Sequence, residues 1–156
     1  MSSFRRTSQA ALLCLSLIWS TTAMAAPADG DKQLNTLRHG LGAATASALY
    51  HTHLFIGATA DGFKGKVFEA RQIREALSAS VKVTAALVDD LGRIRSAEPP
   101  AEDAAQLDEL IAIGQLVMEE ARLLHAFVNK GGDPAEQAFA KRHSRVRTRL
   151  GKLLQL

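Results

Sequence analysis

Five histidines, His39, His51, His53, His125 and His143, and the carboxylates Glu75, Glu119 and Glu120 are the side chains whose types could hold a metal or move protons. A neutral imidazole is the commonest transition-metal ligand, and two imidazoles with one carboxylate suit zinc, copper or iron. Two facing imidazoles also suit a non-covalent haem. His51 and His53 stand two apart, which places them on nearly opposite sides of a helix, so they are not a chelating pair. Ligands on one helix face need a spacing of three or four. The motifs of other chemistries are missing: no CxxCH, HExxH, phosphate-binding glycine loop or nucleophile elbow, and no Glu-x-x-His pair of the di-iron type. Only Tyr50, Asp61 and His51 could meet as an acid–base group, around a turn near Asp61. The chain therefore reads as non-enzymatic.

The elements that must position these residues are helices. Leu34, Leu37, Leu41, Ala44, Ala48, His51 and Phe55 recur at spacings of three and four, and form one expected inward face over about 31–60. Gly57 to Gly65 reads as the first turn. Val67, Ala70, Ile73, Leu77, Val81, Thr84, Leu91 and Ile94 mark a second helix over about 66–95. Pro99-Pro100 breaks it. Ala104, Leu107, Ile111, Gly114, Val117, Ala121, Leu124 and Val128 mark a third over about 100–130, which Gly131-Gly132 ends. Asp133-Pro134-Ala135-Glu136 opens a fourth over about 134–154, with Phe139, His143, Val146, Leu150 and Leu153 on its stripe. No strand-like alternation occurs. The fold class expected is all-α, an antiparallel up-down-up-down four-helix bundle. The rival is a hairpin in which the first two helices fuse through Gly57 to Gly65.

That architecture turns spacing into height. His51 precedes an end at Ala60 by nine residues, and His143 follows Pro134 by nine. Each then lies about 13 Å from the same bundle end at ~1.5 Å per residue. Glu119 and Glu120 fall near that height. The expected ligand set is therefore His51, His143 and Glu119, with zinc, copper or haem as the candidate cofactors. Met118 reads as core filler rather than an axial ligand.

The N-terminus carries the marks of a cleavable signal peptide: Arg5 and Arg6, the apolar run Ala10 to Trp19, and Ala23-Met24-Ala25. Cleavage after about Ala25 leaves residues 26–156 as one helical-bundle domain in the periplasm or secreted. It removes Cys14, the one cysteine, together with two arginines, so the formal charge falls from +3 to +1 (3 − 2). Thiol chemistry and disulfides are then excluded.

Charge is unevenly spread. Lys141, Arg142, Arg145, Arg147, Arg149 and Lys152 follow the last acidic residue, Glu136, whereas Glu98 to Glu120 holds seven acids and no base. Pairing between the third and fourth helices is the first explanation. Contact with an anionic membrane surface is the second. No aromatic interleaves the basic run, which argues against nucleic acid. The functional expectation is an exported binding or protein-interaction module, with a metal- or haem-binding bundle and membrane-surface association as alternatives.

Overall fold

The computed structural model describes residues 30–156, so the expected signal peptide, with Cys14 and Trp19, lies outside the described residues. The chain divides into two units, 1–35 and 36–156, and all packing described below lies within the second. The described residues form four helices and no strand: α1 (Gly30–Lys64), α2 (Ala70–Ser96), α3 (Ala101–Lys130) and α4 (Asp133–Leu154).

α1 continues four residues beyond the expected end. Gly57 and Gly62 do not break it, because each is a packing glycine. A Cβ at Gly57 would stand 2.8 Å from His143 Cε1, and one at Gly62 would stand 2.3 Å from the Phe68 ring. Neighbouring side chains fill those spaces, and the helix ladder persists. The chain turns only after Lys64. There Lys66 takes a left-handed φ of 57°, and the Val67 N–H reaches back 2.8 Å to the Gly62 carbonyl. α2 starts at Ala70, later than expected. Glu69 is its cap, and its backbone N–H donates 3.1 Å to the Gln72 side chain. Gly131 (φ 63°) and Gly132 (φ 87°) separate α3 from α4 with conformations that a side chain disfavours.

The inward faces of α2, α3 and α4 follow most of their expected stripes, but Val67, ahead of α2, and Ile94 are exposed, and on α3 Leu110 and Ile113 are buried while Ile111 is only half-buried. Ile73, Leu77 and Leu91 of α2, Leu110, Ile113, Val117 and Leu124 of α3, and Phe139, Val146 and Leu150 of α4 are all buried. Each such aliphatic contributes about 1.5–3 kcal/mol by leaving water. Gly114 lets α2 come close, for a Cβ there would meet Val88 Cγ2 at 2.5 Å.

α1 differs from expectation by about a third of a turn of rotation, since its buried face trails the expected stripe by about one residue at ~100° per residue. Its buried residues are Gly42, Thr45, Ala46, Leu49, His53, Ile56, Thr59 and Ala60. The expected stripe faces out: Leu37 is 66% exposed, and Leu34, Leu41, Ala44, Ala48, His51 and Phe55 are exposed too. Both faces of α1 are apolar, so hydrophobicity alone does not choose between them. Small size does, because Gly42, Thr45 and Ala46 admit α3. Leu49 and Gly114 are near neighbours, as are Gly42 and Gln106.

Candidate metal centre

Three helices meet at one buried carboxylate. Glu120 belongs to the inward stripe of α3, three residues after Val117 and four before Leu124, and it is fully buried. His53 occupies the equivalent place on α1, four residues after Leu49 and three before Ile56, and is 1% exposed. His143 lies on α4 between Phe139 and Val146, with its side chain 31% exposed.

His53 Nδ1 lies 3.1 and 3.0 Å from the two Glu120 oxygens, and His143 Nδ1 lies 2.6 Å from Glu120 Oε1. An ionised carboxylate only accepts, so in this arrangement both imidazoles donate from Nδ1. Each neutral ring then keeps a lone pair on Nε2. The two rings stack, with centroids 4.3 Å apart and planes at 26°, and Phe139 closes against His143 at 5.6 Å. Gly57 gives the His143 ring its place against the α1 backbone. One potential ligand atom from each of the three residues lies within 4.8 Å of the others.

The electrostatics make this place unusual. No lysine or arginine ion pair reaches Glu120 among the described residues, and its only polar contacts there are the two imidazoles. A charged carboxylate taken wholly out of water is costly unless a positive group compensates it. Hydrogen bonding from two rings offsets part of that cost, and a cation held by the rings would offset more.

The expected ligands divide. His143 is in the cluster. His51 is not: it faces solvent, with its ring against the Ser47 carbonyl at 2.7 Å and Tyr50 at 6.1 Å between ring centroids. Glu119 is half exposed and accepts 2.6 Å from Arg142. Each is replaced by a near neighbour, His53 and Glu120. The expected turn near Asp61 fell four residues early, which moved the level opposite His143 along α1. With α1 ending at Lys64, His53 precedes that end by eleven residues, and His143 follows Asp133 by ten. Glu120 shares the 3–4 spacing of Val117 and Leu124 and so lies on the α3 inward face, which its charge obscures in the sequence. His39, His125 and Glu75 are exposed, and His125 bonds Asn129 at 3.0 Å. The stacked rings leave no space for a porphyrin between them. Tyr50, Asp61 and His51 do not assemble, since ten residues of α1 separate His51 from Asp61, about 15 Å along the axis.

The basic run is partly consumed by internal pairing. Arg142 binds Glu119, and Arg149 binds Glu109 through two N–H groups, Nε at 3.0 Å from Oε1. Lys141, Arg145, Arg147 and Lys152 are exposed and make no ion pair among the described residues. Comparison with protein-family models, with curated proteins and with solved structures finds no match.

Proposed function

We propose that the chain is a non-enzymatic metal-binding protein, an antiparallel up-down-up-down four-helix bundle working outside the cytosol, with its ion held by His53, Glu120 and His143. The observation that carries the reading is the convergence of two imidazoles, from two helices, on a buried carboxylate of a third that has no other counter-charge among the described residues. Export rests on the leader pattern of Arg5, Arg6 and Ala23-Met24-Ala25. The antiparallel order is supported by pairings whose numbers run in opposition. Arg95 meets Asp108 while Arg74 meets Asn129, and Arg142 meets Glu119 while Arg149 meets Glu109.

Two nitrogens and one oxygen suit zinc or copper(II). With metal–ligand bonds of about 2.0–2.1 Å, the edge of a tetrahedron is about 3.3–3.4 Å. The carboxylate oxygens stand 2.6–3.1 Å from the Nδ1 atoms, so an ion held by these atoms opens the contacts toward that edge and displaces both Nδ1 protons, each ring carrying its proton on Nε2 instead. Two nearly parallel rings cannot both hold one ion in their planes. Binding therefore requires one ring to turn edge-on, and His143 has the solvent-side freedom to do so.

The test is elemental analysis and calorimetric titration with zinc and copper(II) on the full chain, beside Glu120→Gln and His53→Ala. One ion per chain is expected for the wild type, with at least tenfold weaker binding in both variants. A wild type that binds neither metal, or variants that bind as tightly, would refute the assignment.

A second reading has its own observation, the four outward cations of α4. An anionic vesicle surface is the partner they suit. Co-sedimentation of the full chain with phosphatidylglycerol vesicles should fall steeply between low and high salt, and salt-insensitive or absent binding removes this reading.

A further inference from the structure

A second site lies away from the histidine cluster. The start of α1, the end of α2 and the start of α3 line a half-open cavity of about 270 Å³. Its walls are apolar: Leu41, Leu91, Ile94, Leu107 and Leu110. Three polar features interrupt them. Thr45 is 4% exposed as a residue and lines the cavity, and since no buried side-chain polar atom among the described residues lacks a partner, its hydroxyl, which bonds no protein group there, opens onto the cavity. Gln106 lays its amide over the bare backbone of Gly42, where a Cβ would stand 2.7 Å from Nε2. Arg38 and Asp103 also line the cavity, and they neutralise each other at 3.3 Å.

We propose that this cavity is a binding site for a small neutral apolar molecule carrying one hydroxyl, which completes the hydrogen bonding of Thr45. Volume sets the size. A dry cavity of about 150 Å³ accepts benzene, so this one accepts a molecule of about one to two fused rings or an aliphatic equivalent. Charge sets the class. Because Arg38 is already paired with Asp103, an anionic ligand would have to break that pair, and a cation would meet the Arg38 guanidinium. A neutral ligand disturbs neither. The apolar walls supply the affinity, and Thr45 with Gln106 supplies the orientation, the usual division in small-molecule sites. Thr45 lies eight residues before His53 on α1, about 12 Å along the axis, so ligand and ion bind without sharing a side chain.

Calorimetric titration of the full chain with 1-naphthol, and with naphthalene as the twin lacking a hydroxyl, tests the assignment. One 1-naphthol per chain is expected. Thr45→Val should weaken 1-naphthol about two- to tenfold, the worth of one hydrogen bond, and leave naphthalene within twofold. Thr45→Ser, which keeps the hydroxyl, should restore most of the 1-naphthol affinity. Ala97→Trp, at an exposed position lining the cavity, should abolish both ligands, and Glu120→Gln should change neither. The proposal is overturned if the wild type binds no 1-naphthol or if Ala97→Trp binds normally. It is equally overturned if Thr45→Val weakens both ligands alike.

Discussion

Replacing Gly57 by alanine separates the stability of the helix from the integrity of the histidine cluster. The new Cβ would stand 2.8 Å from His143 Cε1 and 3.4 Å from Nε2. Carbon atoms rest at about 3.5–4.0 Å, so the ring must retreat by about 0.7–1.2 Å. Directed away from α1, that movement can stretch the 2.6 Å bond from His143 Nδ1 to Glu120 beyond useful hydrogen-bond length. Loss of a bond to a charged group costs about 1.5–3 kcal/mol. Against it stands the helix preference of alanine over glycine, about 1 kcal/mol. Net stability should therefore fall by only about 0.5–2 kcal/mol, while zinc affinity falls by at least tenfold because the ligand has left its place. Urea unfolding measures the first quantity and calorimetry the second. If the wild type binds zinc as proposed, a zinc concentration a hundred times its Kd should add about 2.7 kcal/mol. For a chain of this size that raises Tm by roughly 10 °C, and the variant should lose most of the rise at the same concentration. An alanine variant that keeps the full zinc-dependent rise would refute His143 as a ligand in the position described.

Other substitutions separate the energetic roles. His53→Ala leaves Glu120 with a single donor in a buried site and should cost about 3–5 kcal/mol in urea unfolding. The triple variant His53→Phe, Glu120→Leu, His143→Leu removes the whole polar group, and should recover most of that loss while binding no metal. Gly114→Ala forces a Cβ to within 2.5 Å of Val88 Cγ2, and should cost about 1–3 kcal/mol by overpacking α2 against α3. Arg149→Ala breaks a pair whose side chains are 31% and 38% exposed, so thermal unfolding should register about 1 kcal/mol or less, and less still in high salt.

The four helices and most of three inward faces were legible in the sequence because α2, α3 and α4 each carry one apolar stripe, although Ile113 replaces Ile111 inside and Ile94 faces out. α1 was not, since Leu37 and Leu41 outweigh Ala46 and Gly42 in hydrophobicity while the smaller residues fit the interior. A reading by size, with Gly42, Ala46, Leu49, Ile56 and Ala60 at three-four spacing, identifies the correct face and places His53 on it. The site was half legible for the same reason. His143 sits on an unambiguous stripe, but its partners required the rotation of α1 and the exact end of that helix. Glycine was the misleading signal: Gly57 and Gly62 read as turn formers, yet both are vacancies for a neighbour's ring, which sequence spacing does not reveal.

The unequal burial of the three cluster residues has a kinetic consequence. His53 and Glu120 have almost no surface of their own, so the solvent-side edge of His143 is the approach to them. Departure of an ion bound as proposed should then wait on the swing of a single imidazole past Phe139 and Gly57, a unimolecular event inside the protein. A chelator in solution can collect the ion only after that swing. The exchange rate should therefore level off as chelator is added, and the plateau measures how often one side chain opens.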